Sequence, residues 1–229
     1  MLKQLNFLFL LLSAIFQVEL NAQDKAKFDQ KLYAYEDSLQ KIAIQIRDGE
    51  TERERAEACF AFIPTLVKAL EIPGSFEFPF RKLETISILK PKDASFRIFS
   101  WVLRRENKTF RFYGAIQMNN EKELELYPLY DYSENIENPE DTILNNRSWY
   151  GALYYNLLEV KQRRKDYYTL LGWDGNDPMS TKKVADILHF EKGKPIFGAP
   201  VFEVKKEDAK NTSIQNRIIV EFKKNAGVS

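Results

Sequence analysis

Residues 167–202 of the chain read YYTLLGWDGNDPMSTKKVADILHFEKGKPIFGAPVF, and this stretch decides the class of fold. Two apolar runs flank Asp174-Gly175, and a third run follows Lys192-Gly193. Both dipeptides are typical of tight turns, because glycine adopts positive φ angles without a steric penalty. The stretch therefore predicts a three-stranded antiparallel meander.

Alternating apolar residues predict further strands earlier in the chain, at 96–104, 109–118 and 123–127. The first of these is apolar on both faces, with Phe96 and Ile98 on one side and Phe99, Trp101 and Leu103 on the other. A strand with this pattern is expected to be covered on two sides. The remaining predicted strands lie at 149–160, 167–173, 181–190, 194–202 and 217–222.

Residues 23–73 are predicted to form a helical hairpin that covers one face of the sheet. The first helix carries a narrow apolar stripe, spaced by four and three residues in turn: Phe28, Leu32, Tyr35, Leu39, Ile42 and Ile46. Thr51 and Glu54 have the spacing of a capping box, which opens a second helix. Pro64 is expected to kink or interrupt this helix, because it lacks an N–H group. The inner face of the second helix is predicted to contain Phe60, Ile63, Val67 and Leu70.

Together these elements predict an α+β fold, in which the helical hairpin packs on an antiparallel β-meander at 74–229. Eight or nine strands would form a partly closed barrel, a sandwich or propeller-like blades. Residues 225–227 have the composition of a turn, and 228–229 that of the start of a strand. Because a last strand without its neighbour would leave an open edge, we expect the chain to be a C-terminally truncated fragment.

Residues 1–22 have the pattern of a secretory signal peptide. Lys3 precedes an apolar run at 7–16, which is shorter than the roughly 20 residues of a membrane-spanning helix. Cleavage after Ala22 would release a periplasmic, envelope-associated or secreted protein. No later run reaches transmembrane length, so we expect no integral membrane span after cleavage. A buried helix or an uncleaved anchor is the alternative.

Charge and residue types argue against several classes of function. The 34 Lys and Arg residues balance 33 Asp and Glu residues, whereas a nucleic-acid-binding protein normally shows a basic excess. One cysteine, Cys59, and one histidine, His189, are too few for a zinc site, and they lie far apart in sequence. We therefore predict no catalytic, cofactor-binding or metal-binding residue.

Aromatic residues near the predicted loops provide a candidate binding site. We predict that Trp149, Tyr150, Trp173 and Asp174 contact a protein or glycan partner if they are exposed, since tyrosine and tryptophan are enriched in binding surfaces. If these rings are buried, they belong to the sheet core. Residues 129–147 form an acidic loop, interpreted as a solvated linker, with a surface for a cation or basic partner as the alternative.

The run at 168–202 resembles part of an uncharacterised family of exported bacterial proteins. The resemblance implies export and a β-rich C-terminal region, and it assigns no functional residue. We expect a non-catalytic exported or envelope-associated protein with a binding or structural role. Two alternatives stay open: a carboxylate-dependent hydrolase acting on glycan, with two acidic side chains facing each other in a cleft, and a scaffold that assembles through an exposed stripe on its N-terminal helix.

Overall fold

The computed structural model describes residues 2–162, 165–205 and 212–224, with side chains from residue 23 onward except at 161 and 162. The predicted signal peptide coincides with a part of the first helix whose side chains are not described. The predicted turn at 225–227 and the predicted start of a strand at 228–229 lie outside the described residues.

Two helices, α1 (Leu2–Asp48) and α2 (Glu52–Leu70), come first and form the predicted hairpin. A four-stranded sheet follows, made of β1 (Ser87–Leu89), β2 (Phe96–Arg104), β3 (Phe110–Met118) and β4 (Leu126–Tyr130) in that order. The next strands are β5 (Leu144–Asn145), β6 (Leu153–Gln162), β7 (Lys165–Asp174), β8 (Ser180–Glu191) and β9 (Lys194–Phe197). They build a second sheet in the order β5-β9-β8-β7-β6. A small hairpin of β10 (Phe202–Lys205) and β11 (Thr212–Gln215) precedes β12 (Arg217–Lys223), which joins the second sheet beside β8.

The chain is built in three layers: the helical hairpin, the four-stranded sheet and the six-stranded sheet. Phe99, Trp101 and Leu103 of β2 belong to the core shared with the helices. Phe96 and Ile98 of the same strand belong to the core between the two sheets. The α+β fold and the strand covered on both faces are therefore confirmed, and within the described residues the sheets form no closed barrel.

The three-stranded meander is also confirmed, with Tyr168 paired to Leu188 and Leu188 paired to Phe197. Other predicted boundaries are wrong. The predicted strand at 194–202 divides into β9 and β10, because the chain leaves the sheet at Gly198 with a positive φ of 94°. The predicted strand at 123–127 is shifted to Leu126–Tyr130, and the one predicted to begin at Trp149 begins at Leu153.

The apolar stripe of α1 faces the interior of the protein. Leu32, Leu39 and Ile46 are buried in the core that the helices share with the first sheet, so the expectation that this stripe stays exposed for assembly is wrong. The capping box is present, since the Glu54 N–H donates to the Thr51 hydroxyl at 3.2 Å and the Glu54 carboxylate accepts from the Thr51 N–H at 3.3 Å. Among the helical residues with described side chains, no segment is long and apolar enough to cross a membrane.

The second helix, α2, buries a different face from the one predicted. Phe60 is 68% exposed and Ile63 is 38% exposed, so their assignment to the inner face is wrong. The buried face is shifted around the helix and is made of Arg55, Ala58, Cys59, Phe62, Leu66, Ala69 and Leu70. Small residues on this face favour close packing against α1. Pro64 lies inside one continuous helix and does not interrupt it.

A buried arginine, Arg97, connects β2 to the irregular segment that follows the helices. Its guanidinium donates to the carbonyls of Ser75 and Phe78, each at 2.8 Å, and to the Gln117 side chain at 2.7 Å. The ring of Phe99 lies 4.8 Å from the guanidinium carbon, within the range of a cation–π contact. Burial lowers the pKa of Arg97. The lowered pKa of about 9 still leaves the guanidinium charged at neutral pH.

Arg55 of α2 performs the same role at the junction between the helices. Its guanidinium donates to the carbonyl of Gly49 at 2.6 Å and to that of Arg104, at the end of β2, at 2.8 Å. The first bond satisfies a backbone acceptor just after α1 that has no helical partner, and the second satisfies one at the end of β2. The helix connection is thereby held against the four-stranded sheet.

The observed orientation of α2 predicts opposite results for two neighbouring phenylalanines. We expect Phe62→Ala to lower the free energy of unfolding by about 3–5 kcal/mol, because it leaves a cavity beneath the helix. Phe60→Ala should change it by less than about 1 kcal/mol, because this ring already contacts solvent. Urea unfolding of both variants measures the difference, and a larger loss from Phe60→Ala would contradict this orientation of α2.

Candidate functional site

A cleft of about 490 Å³ lies where β3, β7, β8 and β12 meet the segment after β4. Aromatic and aliphatic side chains, among them Phe110, Phe112 and Ile219, form part of its wall. The rest of the wall is charged and contains one basic side chain, Lys182. Its six acidic side chains are Asp131, Glu134, Glu140, Asp174, Asp177 and Glu221. We call this site the acidic cleft.

Asp131, the first residue after β4, is fixed by three hydrogen bonds. One carboxylate oxygen accepts from the Phe112 backbone N–H at 2.9 Å. The other accepts from the N–H and the hydroxyl of Ser133, at 3.1 Å and 2.6 Å. The Ser133 hydroxyl oxygen in turn accepts from the Gly151 N–H at 2.8 Å, so Asp131 and Ser133 connect the entry to β6 with the start of β3.

Gly151 is required by this close approach. A Cβ atom at this position would lie 2.5 Å from the Asp131 Oδ1 and 2.8 Å from the Phe112 Cβ. Both distances are shorter than non-bonded atoms tolerate. The small residue therefore allows the segment before β6 to pass directly beneath the carboxylate.

Asp174 ends β7, lines the same cleft and is only 7% exposed. Its carboxylate accepts from the Tyr150 hydroxyl at 3.1 Å and from the Asn176 N–H at 2.8 Å. Burial raises the pKa of Asp174, and the negative charge of Asp131 adds to the rise. The Asn176 N–H, Lys182 and the Tyr150 hydroxyl act in the opposite direction. Burial also raises the pKa of Tyr150, which therefore remains a neutral hydrogen-bond donor.

The turn after β7 positions a second carboxylate, Asp177, at the mouth of the cleft. It accepts from the backbone N–H groups of Met179 at 2.7 Å and Ser180 at 2.8 Å. Two hydrogen bonds lower the pKa of Asp177 below its usual range. The bond from the Ser180 N–H has the larger effect, and the bond from the Met179 N–H has the next largest. Glu221 of β12 accepts from the Ser180 hydroxyl and from the Asn176 side chain. Asp177 and Glu221 are consequently held at the edge of the same turn.

The acidic loop at 129–147 contributes one wall of the cleft, and most of its residues are exposed or half-buried, as expected for a solvated segment. It contains two short 3₁₀ turns, Ser133–Asn135 and Pro139–Asp141, and the strand β5. Arg217 of β12 donates to the carbonyls of Pro139 and Thr142, and the Asn216 N–H donates to the carbonyl of Glu140. The loop is thus attached to the six-stranded sheet through its backbone.

The four residues predicted as a binding site do not all reach this surface. Tyr150 and Asp174 line the acidic cleft. Trp173 is half-buried, with its ring centroid 5.1 Å from that of Phe110. Trp149 is fully buried, and its indole N–H donates to the Tyr154 hydroxyl at 2.8 Å. Trp149 therefore supports the core between the sheets and presents no ring to a ligand.

The structure also shows where the potential metal ligands and the thiol lie. Among the residues with described placement, no group of three or more His, Cys, Asp or Glu side chains has the geometry of a metal site. Cys59 is buried on α2, and burial raises its pKa to about 11. Inside the cleft, the carboxylates of Asp131 and Asp174 are occupied by donors from the protein itself. The arrangement is suited to holding a positively charged or hydrogen-bonding group.

Sequence reasoning missed Asp131, Lys182 and Glu221 as parts of one site. Each lies on a different strand or loop, and their proximity depends on how the two sheets meet. Asp131 directly follows β4 and Gly151 lies opposite it, but the strand predicted at 123–127 ends before this position. A single sequence does not reveal that these two segments contact each other.

Comparisons with protein-family models, with curated proteins and with solved structures found no match to this chain. The function proposed below therefore rests on the geometry of the acidic cleft.

The opposite pKa shifts of two cleft carboxylates predict opposite pH dependences of stability. Folding raises the pKa of Asp174. As pH rises from the unfolded-state pKa of about 3.9 through the higher native-state pKa, ionisation of Asp174 therefore lowers the free energy of unfolding. The Asp174→Asn variant should therefore gain stability relative to the wild type over this rise. Urea unfolding at a series of pH values from 3.5 to 7 measures the relative change.

The matched comparison is Asp177→Asn. Folding lowers the pKa of Asp177, so the contribution of its carboxylate is present above about 3.9 and disappears as pH falls through the native value. This variant should lose stability relative to the wild type as pH rises. If both variants changed in the same direction, the described environments of the two carboxylates would be wrong.

Proposed function

We propose that the chain is a non-catalytic, exported binding protein, and that the acidic cleft receives a ligand bearing a cationic amine. The observation that carries the proposal is the collection of six carboxylates around a single concave site. Three cations offset part of their charge: Arg105 pairs with Glu134 at 2.7 Å, Lys182 lines the cleft, and Lys224 donates to the Asp177 carbonyl. The cleft volume of about 490 Å³ falls within the range of small-ligand pockets.

The charge of the cleft is a local property. The whole chain has a formal net charge of +1, so a cation gains no attraction from the protein as a whole. Carboxylates that converge in a partly enclosed site concentrate the negative potential there. An amine entering the cleft would replace part of its hydration with these carboxylate oxygens.

The fixed geometry of the wall supports binding without chemistry. Asp131, Asp174 and Asp177 each accept hydrogen bonds from neighbouring backbone N–H groups, so they are oriented before a ligand arrives. Preorganised groups bind with a smaller loss of conformational freedom. Tyr150 adds a hydroxyl group, and Phe110 adds an apolar surface, next to the charged groups.

A carboxylate-dependent hydrolase acting on glycan is the second candidate. One observation favours it: Asp131 and Asp174 line the same cleft, and burial raises the pKa of Asp174 as a general acid requires. We rank it second because the Asp174 carboxylate accepts from both Tyr150 and Asn176. A general acid needs a free proton to donate to the leaving group.

Binding of a matched pair of oligosaccharides tests the proposal. At pH 6 and low salt, a fully deacetylated glucosamine hexamer should raise the melting temperature, whereas its neutral N-acetylated counterpart should not. Glu221→Gln should weaken binding about threefold or more, because it removes one exposed carboxylate, and Lys182→Gln should strengthen it. Isothermal titration calorimetry measures both effects, with spermidine as a second cationic probe.

Glu203→Gln is the control for this experiment, because Glu203 lies on β10 and does not line the cleft. It should leave the affinity unchanged. Equal binding of both hexamers, or equal weakening by the Glu203 substitution, would contradict a cation-selective cleft. Turnover of an aryl glycoside that Asp174→Asn abolishes would replace the binding function with the hydrolase.

Export is tested separately from ligand binding. The signal-peptide pattern at 1–22 and the resemblance at 168–202 support it. We expect N-terminal sequencing of protein from the cell envelope or medium to begin at Gln23. Protein that retains residues 1–22 and stays in the cytosol would contradict export and leave the proposal for the cleft unaffected.

A further inference from the structure

The helix-facing side of the four-stranded sheet is only partly covered by the hairpin. Both helices pack mainly on β2. On the same side, β3 and β4 present Tyr113, Ala115 and Pro128, which are neighbours across the two strands. These residues form the floor of an open apolar groove of about 570 Å³.

The outer side of α2 forms the wall of this apolar groove. Phe60, Ile63 and Val67 are spaced by three and four residues, which places them along one face of the helix. Phe60 and Ile63 rank among the exposed large apolar residues, and Tyr130 on β4 is 57% exposed. The exposed side of α2 and the surface of β3 and β4 therefore form two walls of a groove that no other described element fills.

From this geometry we propose that the apolar groove docks an amphipathic helix of a partner protein. Two neighbouring strands are about 10 Å across, which equals the diameter of one α-helix. Such a helix would lie on β3 and β4 beside α2, as a third member of the helical layer. Its apolar side chains would cover Phe60 and Ile63.

An added strand does not fit this place. The outer edge of β4 is already engaged, since the Tyr130 N–H donates to the Asn146 carbonyl at 2.8 Å and the Trp149 N–H donates to the Tyr130 carbonyl at 3.0 Å. The Asn146 side chain also donates to the Pro128 carbonyl at 2.9 Å. An extended peptide would find few free backbone groups along this edge.

The charge at the rim of the apolar groove indicates which residues the docking helix carries beside its apolar face. Arg111 lies at the rim of the apolar groove and is exposed. Within the described part of the chain Arg111 has no ion-pair partner, whereas the neighbouring Arg105 is paired with Glu134 at 2.7 Å. Asp131 also lines the rim, but its carboxylate already accepts three hydrogen bonds. The complementary partner helix therefore carries an acidic residue beside its apolar face.

Three synthetic peptides test this proposal. Each has 18 helix-forming residues: one has leucines along one face and glutamates on the flank, the second has lysines on the flank, and the third has the composition of the first with leucines distributed around the helix. Fluorescence anisotropy should show tightest binding for the glutamate-flanked peptide and a helical circular dichroism signal on binding.

Single substitutions then locate the binding surface. Phe60→Ser should weaken binding at least tenfold, and Arg111→Glu should reverse the preference toward the lysine-flanked peptide. Leu158→Ser is the matched control, because Leu158 is a similarly exposed apolar residue on β6, outside the groove. Glu221→Gln, which is expected to weaken amine binding in the acidic cleft, should leave peptide binding unchanged, so the two proposals can fail independently.

Several results would overturn the docking of a partner helix. Equal binding of the third peptide, undiminished binding to Phe60→Ser, or absence of binding would each do so. A concentration-dependent dimer that Phe60→Ser abolishes in analytical ultracentrifugation would instead assign the apolar groove to a second copy of the chain. Association with neutral phosphatidylcholine vesicles that depends on Phe60 would assign it to a membrane surface.

Discussion

The buried guanidinium of Arg217 holds together the part of the molecule that carries the acidic cleft. It lies 3.2 Å from the carboxylate of Asp186, and both side chains are completely buried. The same group donates to the carbonyls of Thr142 at 2.9 Å and Phe197 at 3.3 Å. Removing one member of a buried pair leaves the other as an uncompensated charge, which is far more costly than losing an exposed pair. β12, β8 and the cleft wall therefore depend on a single side chain.

Arg55 and Arg97 apply the same physical solution in the helical half of the chain. Irregular backbone that packs against a core leaves carbonyl groups without a ladder or helix partner, and a buried acceptor without a donor is unfavourable. A guanidinium group offers five donors in a fixed plane and can satisfy several carbonyls at once. The three arginines thus allow the helix connection, the segment before β1 and the acidic loop to be ordered with little regular secondary structure.

The sequence was informative where a pattern is local and had one physical interpretation. The alternation in β2 predicted two covered faces, and Lys192-Gly193 predicted the turn between β8 and β9, where Gly193 has a positive φ of 78°. Between β7 and β8 the positive φ lies at Asn176 and not at the expected Gly175. The sequence was ambiguous in α2, where two apolar stripes share one helix. Packing on α1 and on Trp101 of β2 selects the face that contains Phe62 over the one that contains Phe60. The acidic cleft was harder still. Asp174 was predicted, but Asp131 joins it through contacts between distant segments, which no local pattern encodes.

The location of the lone thiol has a practical consequence. Cys59 is completely buried on the packed side of α2. Its elevated pKa keeps the thiol protonated at neutral pH. Thiol reagents attack the thiolate, so the native protein should be inert toward maleimides. A cysteine introduced on the surface would then be the sole reactive position, and fluorophores or spin labels could be attached to the natural background without first removing Cys59.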